Sequence, residues 1–232
     1  MEKQITGVLI AAAGKGVRSK SVIPKQYLCF GDQTVLKKNI ENFIYEPLID
    51  FVLVVINKKH IRFYEDAIVN IHSPKLLPTC FGGETRSQSV KNGLKAIKNR
   101  GCTKILIQDA ARPFTSSTII KKCIKGLDNF DVVFPGVRIP DTLYIKKLEN
   151  NRDTISELGP DRNSVIRAQT PQAFRFNYIY NRHMDNEEQY TDDVNLAFLD
   201  KKEIDIISGS EYNFKITTPE DILIAEKLFL NV

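Results

Sequence analysis

The chain has 232 residues, the size of one large domain, and its 42% hydrophobic and 26% charged content supplies one sizeable core and excludes a disordered chain. A net charge of +5 suits an anionic small molecule such as a nucleotide or sugar phosphate, while the lysines form no basic arm and Trp is absent, so nucleic acid is not an expected partner. Cys29, Cys80, Cys102 and Cys123 show neither a CxxC pair nor metal-ligand spacing and read as reduced, mostly buried thiols, and the apolar run 7–13 is too short for a membrane span or signal peptide, so a cytoplasmic protein without a membrane partner is expected.

Short β-branched runs at 7–12, 51–56, 75–80, 104–108 and 131–137 are nearly continuous in apolar character, as strands covered on both faces are. Between them lie stripes of helical period: Val35, Leu36, Ile40, Phe43 and Ile44; then Val90, Leu94 and Ile97; then Ile119, Ile120, Cys123, Ile124 and Leu127. This alternation predicts α/β crossover units on a mostly parallel sheet. After Pro140 the texture changes, and 142–155 reads as two alternating strands around Glu149, Asn150 and Asn151, a projecting β-hairpin. An arm with so little apolar surface of its own is expected to pack on a second subunit. A strand at 165–168, helices near Pro171 and Asp192, and a strand at 203–207 follow. Thr218 as N-cap, Pro219 in the first turn and the acidic pair Glu220 and Asp221 announce a final helix.

Three segments at strand ends could carry chemistry. Ala11-Ala12-Ala13-Gly14-Lys15-Gly16-Val17-Arg18, followed by Pro24-Lys25-Gln26-Tyr27, offers backbone N–H groups to phosphate oxygens with Arg18 and Lys25 to neutralise them; a plain glycine turn with solvated cations is the alternative. It is not a Walker loop, since Lys15 is followed by Gly16, and Val17, Arg18 and Ser19 fit poorly the third small residue of a dinucleotide fingerprint, which disfavours a dehydrogenase. A second loop, Gly82-Gly83-Glu84-Thr85-Arg86-Ser87-Gln88-Ser89, should face the same crevice, where Ser89 could bond a base or Ser87 or Ser89 could cap the helix. Gln108-Asp109-Ala110-Ala111-Arg112-Pro113 sets a carboxylate and a guanidinium beside that crevice, for a hydroxyl or metal or as a mutual ion pair. A dispersed set, Asp141, Thr142, Arg162, Gln169-Thr170-Pro171-Gln172, Thr191-Asp192-Asp193 and Asn213-Phe214-Lys215-Ile216-Thr217, is undiagnostic alone; Lys215 in its alternating context faces either solvent or a ligand.

In this order, AAAGKGVRS with PKQYL, GGETRSQSVKNGL, DAARP, RAQTPQAF, and TDD followed by NFKITTPEDI resemble the 2-C-methyl-D-erythritol 4-phosphate cytidylyltransferases, over about residues 7–226. The resemblance implies a Rossmann-like α/β domain spanning 1–232, of the nucleotide-diphospho-sugar transferase type. It also implies a dimerisation arm at 138–162, a homodimer with sites completed across subunits, and a non-mevalonate isoprenoid role in which CTP and methylerythritol phosphate, with Mg²⁺, yield 4-diphosphocytidyl-methylerythritol and pyrophosphate. Carried over, the nucleotide site uses Ala12, Ala13, Gly14, Gly16, Gly83, Glu84, Ser89 and Ala110, and the catalytic cations are Arg18, Lys25 and Lys215. Asp109, Arg112, Thr142, Arg162, Thr170 and Thr191 hold the acceptor or the reacting centre; no protein ligand to the metal is implied, Asp109 being nearest to a candidate. Gln108 stands where this family frequently has His, and Phe198 where an acidic residue is common. Some relatives carry a following cyclodiphosphate synthase domain, for which 232 residues leave no room, so the cytidylyl step alone is expected. A ribitol-5-phosphate cytidylyltransferase and a non-catalytic nucleotide-binding regulatory subunit are the alternatives; the joint presence of Arg18, Lys25 and Lys215 speaks against the second.

Overall fold

The computed structural model describes residues 4–14, 23–149, 151–185, 190 and 192–230. Its centre is an eight-stranded mixed sheet. Strand β1 (Thr6–Ala12) lies between β4 (Phe51–Ile56) and β6 (Lys104–Asp109), parallel to both, and β5 (Cys80–Phe81) extends the parallel side beyond β4. On the other side β11 (Gln172–Arg175) runs antiparallel to both β6 and β7 (Val132–Arg138), while β10 (Ile166–Ala168) pairs antiparallel and β12 (Ile204–Ser208) parallel with β7.

Period-two alternation along β1 divides the core. Val8, Ile10 and Ala12 pack with helices α1 (Val35–Ile44), α2 (Ile61–Ile68) and α4 (Ser117–Gly126), while Leu9 packs with α3 (Arg86–Ile97), α5 (Phe176–Asp185) and α6 (Val194–Leu199). The sheet is thus covered on both faces, which accounts for the unbroken burial of β4. Gly93 fixes how closely α3 sits: a Cβ there would lie 2.5 Å from Leu9 Cδ1 and 2.7 Å from Val55 Cγ2. A third, smaller core joins the separate hairpin β2 (Cys29–Phe30) and β3 (Gln33–Thr34) to the helix α7 (Pro219–Leu230) through Phe30, Val35, Ile216 and Ala225. Asp221 anchors the start of α7 by accepting from Thr217 N at 2.7 Å and Thr218 N at 2.9 Å.

Two expectations require correction. The segment after Pro171 is strand before it is helix, because Ala173 and Phe174 are fully buried in the cores on opposite faces of the sheet, a period of two that only a central strand allows. The expected strand at 75–80 shrinks to Cys80–Phe81 with an isolated bridge at Leu76, since Pro78 offers no N–H to the ladder at this sheet edge. The projecting hairpin is present as β8 (Tyr144–Glu149) and β9 (Arg152–Leu158), with Asn151 in the left-handed region at φ 61° beside the turn. Its strands expose Tyr144, Ile145, Leu148, Ile155 and Leu158. All four cysteines are free, with Cys102 and Cys123 buried and Cys29 exposed. Among the described residues no helix is long and apolar enough to cross a membrane.

Candidate active site

The C-terminal ends of β6 and β1 lie side by side, with that of β5 one strand further on beyond β4, on the edge where ligands bind in open α/β sheets. After β1 the chain passes through Ala13 and Gly14; Gly16 and Arg18 lie outside the described residues. The short helical turn Lys25–Tyr27 is pinned to this loop by Gln26, which donates from Nε2 to Ala12 O at 2.7 Å and to Gly14 O at 3.1 Å. Tyr27, buried and stacked on Phe63 at 5.5 Å, holds the turn from behind. Lys25 is thereby carried on a braced element, half-buried beside the phosphate-type loop.

The second glycine loop touches the first. A Cβ on Gly82 would lie 2.5 Å from Ala13 Cβ and 2.5 Å from Ser89 Oγ, so the two loops approach to a distance that only glycine permits. Ser89 braces its loop from within, accepting from Gly83 N at 3.1 Å and donating to Thr85 O at 2.8 Å. Neither Ser87 nor Ser89 is the cap of α3; Thr85 is, accepting from Gln88 N at 3.1 Å. Glu84 stands exposed at the turn.

Asp109 ends β6 and gathers the cations. Its Oδ2 lies 2.6 Å from Lys215 Nζ and 3.9 Å from Arg112 Nε, and its Oδ1 lies 3.5 Å from Arg86 Nε. Burial alone would raise its pKa, but Lys215 first, then Arg86 and Arg112, hold this carboxyl far below the usual carboxylate range. Its backbone is fixed too: N donates to Thr170 Oγ1 at 3.1 Å and O accepts from Asn39 Nδ2 at 2.9 Å. Ala110, buried, follows it.

Lys215 arrives from a segment hydrogen-bonded along the loop after β6. Ile216 N donates to Ala111 O at 2.8 Å, and Arg112 Nη1 donates to Asn213 O at 2.7 Å. Asn213, fully buried, donates from Nδ2 to Thr170 O and accepts at Oδ1 from Thr115 Oγ1. Phe214 and Ile216 point into the third core, so alternation turns Lys215 toward Asp109. Lys215 pairs with Asp109, and the aspartate is a hub of three cations rather than half of a private pair with Arg112. Gln108 supports the same loop, donating to Arg112 O at 3.1 Å and Thr115 Oγ1 at 2.9 Å.

Contacts tie Gln26, next to Lys25, to Ala12 and Gly14, link Ala13 to Gly82 and Ser89 and Ser89 to Gly83, and join Asp109, followed by Ala110, with Thr170, Arg112 and Lys215. The structure leaves Thr142 and Arg162 exposed at the root of the arm, where Arg162 Nη1 donates to Pro140 O at 2.7 Å, and no ion pair or hydrogen bond among the described residues ties either to Asp109. Thr191 lies outside the described residues, between Tyr190, which donates to Ser87 Oγ at 2.9 Å, and Asp192, which accepts from Gln172 Nε2 at 2.6 Å. Sequence reasoning passed over Arg86, a cation on the first turn of α3, where the helix dipole disfavours positive charge; that misfit was the available signal.

Comparison with known proteins bears on the whole chain. A family model described as IspD, 2-C-methyl-D-erythritol 4-phosphate cytidylyltransferase, matches residues 6–231. A 2-C-methyl-D-erythritol 4-phosphate cytidylyltransferase of Clostridium botulinum (strain Eklund 17B / Type B) is 37% identical over 97% of this chain and 99% of its own length. A bifunctional enzyme IspD/IspF of Wolbachia pipientis wMel is 37% identical over 98% of this chain, which spans 56% of that relative's length. Among solved structures, the 4-diphosphocytidyl-2C-methyl-D-erythritol synthase of Anaerococcus prevotii DSM 20548 superposes with a TM-score of 0.80 at 28% identity, covering 98% of this chain and 96% of that one. With strand ends, glycine loops and match all coinciding, the chain belongs to the 2-C-methyl-D-erythritol 4-phosphate cytidylyltransferase family.

Proposed function

We propose that this protein transfers the cytidylyl group of CTP to 2-C-methyl-D-erythritol 4-phosphate, releasing pyrophosphate. The observation that carries the residue assignment is the meeting of Lys215 and Asp109, 2.6 Å apart, beside the loop that Gln26 ties to the Lys25 turn. The acceptor's phosphate oxygen attacks the α-phosphorus of CTP; a new P–O bond forms there as the bond to the bridging oxygen breaks, and pyrophosphate leaves with the electron pair. A phosphate monoester is already anionic at neutral pH, its second pKa being about 6, so no general base is needed. The obstacle is repulsion between polyanions, which fixed positive charge and positioning overcome. Lys25 and Arg18 serve the α-phosphate and the leaving pyrophosphate, and Lys215 serves the attacking phosphate or the pentavalent transition state. Ala12, Ala13, Gly14 and Gly16 line the triphosphate, Gly83, Glu84, Ser89 and Ala110 the nucleoside, and Asp109, Arg112, Thr170 and Thr191 the acceptor.

The residues suit a Mg²⁺ that travels with the triphosphate. Among the described residues no three His, Cys, Asp or Glu side chains gather as a metal cage, and Asp109 is already ringed by cations. Mg²⁺ commonly takes its ligands from phosphates and water with one or two carboxylates, here Asp109 at most. When bound, it neutralises charge on the phosphate oxygens. The exposed apolar side chains of the β8–β9 hairpin support a homodimer in which the arm packs on the second copy and delivers Thr142 and Arg162 to its acceptor site. A cytoplasmic setting completes the proposal.

The deciding experiment is pyrophosphate release from CTP and Mg²⁺ with methylerythritol 4-phosphate, and in parallel with ribitol 5-phosphate. Release with the first acceptor alone supports this reading. Release with the second alone keeps the chemistry and changes the pathway, and silence with both despite CTP binding supports a regulatory subunit.

A further inference from the structure

We infer that Arg86 is a positioning residue that locks the nucleotide loop to the Asp109–Lys215 pair, with Asp193 and His183 as its backing. The inference rests on the cytidylyl-transfer reading above. Arg86 opens α3 immediately after the loop Gly82-Gly83-Glu84-Thr85, where the positive end of the helix disfavours a cation. Its charge is tolerated because two carboxylates from distant elements meet it. Arg86 Nη1 lies 2.6 Å from Asp193 Oδ2, and its Nε lies 3.5 Å from Asp109 Oδ1.

The Asp193 side of this bridge is rigid. Its side chain is only 2% exposed, its second oxygen lies 3.0 Å from His183 Nε2, and its backbone N donates to Gln172 Oε1 at 3.2 Å. A carboxylate enclosed in this way cannot reach a substrate; what it can do is hold a guanidinium in one orientation. The Asp109 side is the one that needs holding. Lys215 and Arg112 both approach Oδ2, so among the described residues Arg86 is what restrains Oδ1. Without Arg86 the carboxylate is free to turn about its last torsion, and Lys215, 2.6 Å away, turns with it. A planar fork with donors on separate edges suits a bridge between two carboxylates, and a point charge does not. The bridge therefore sets the place of the transfer lysine from the nucleotide's own loop, and its loss should appear in turnover rather than in CTP affinity.

The test uses the full chain with CTP, methylerythritol 4-phosphate and Mg²⁺, steady-state kinetics, and CTP titration by calorimetry. Arg86→Ala is expected to lower kcat by at least about tenfold while the Kd for CTP stays within about threefold of wild type. Arg86→Lys is expected to recover part of that loss. Asp193→Asn is expected to reproduce the defect, and the double variant Arg86→Ala with Asp193→Asn to be no slower than the slower single one, as for two residues acting through one contact. Should Arg86→Ala fail to fold, because it leaves Asp193 buried without its cation, Arg86→Lys and Asp193→Asn decide: wild-type kcat in both overturns the inference. So does an Arg86→Ala protein with kcat within about twofold of wild type, a loss confined to CTP affinity, or single defects that multiply in the double variant. A wild type that releases no pyrophosphate defeats the cytidylyl-transfer reading and this inference together, whereas an active wild type equalled by its variants defeats the inference alone.

Discussion

Lys25 and Lys215 stand on differently built supports, one a turn braced by Gln26 and Tyr27, the other a strand-like segment between Phe214 and Ile216. Lys25→Ala leaves the bracing turn intact and should fold normally, whereas Lys215→Ala removes the nearest cation of buried Asp109 and should fold with a lowered Tm. Each should lower kcat by at least about a hundredfold, the scale of removing one preorganised charge-stabilising group. Near-normal turnover in either variant, measured by pyrophosphate release, would remove that lysine from the mechanism. Asp109 makes a separate prediction about acid. Its folded pKa is depressed, so its stabilising pairs are fully present above the unfolded value of about 3.9 and fade as pH falls toward the folded one. The Tm advantage of wild type over Asp109→Asn should therefore be flat from neutrality down to about pH 5 and shrink below it, as thermal unfolding across that range would register. An advantage that grows on acidification would mean that the cations do not stabilise this carboxylate.

At the level of elements, the contact between Ala13 and Gly82 makes two loops into one cradle. Gly82→Ala would force aside Ala13 or Ser89 of α3, both of them buried, so a modest fall in Tm should accompany the effect on binding. CTP affinity should fall by about tenfold or more, since small misplacements at a binding loop are costly; calorimetry showing unchanged affinity would mean the close approach is incidental. The same elements show what was legible beforehand. Phe51–Ile56 announced itself because burial on both faces demands an uninterrupted apolar run, and the three helices on residues 35–44, 86–97 and 117–126 because their stripes keep helical period. Gln172–Arg175 did not, because four residues starting after a proline imitate a helix start and their alternation is defined only by the two cores they separate. For the site, the glycine loops and Asp109 were visible as strand-end motifs, whereas Arg86 was hidden among polar neighbours. Its partner Asp193 lies 107 positions away, and no local pattern could reveal that pairing.

On the scale of the molecule, the arm carries apolar side chains that the described residues of the single chain leave exposed. Its strands pair with each other, with Lys146 and Asp153 2.7 Å apart, while Leu148, Ile155 and Leu158 remain exposed. Light scattering should give a particle of twice the 26.4 kDa chain mass, and replacing Leu148 and Leu158 together by Asp should reduce it to one chain with loss of activity. If Thr142 and Arg162 act on the partner, mixing inactive Arg162→Ala and Lys215→Ala proteins under exchange conditions should restore partial activity, because each hybrid dimer contains one intact composite site; a mixture as silent as its parts would confine both residues to their own subunit.

Asp109 and Lys215 stand 106 positions apart, and the lysine follows the arm and every strand of the sheet in chain order. A growing polypeptide that has already made its glycine loops, its arm and its sheet still lacks the lysine that pairs with Asp109. The pair is therefore completed only after the arm and the sheet have been made, when Ile216 docks against Ala111 and brings its neighbour into place.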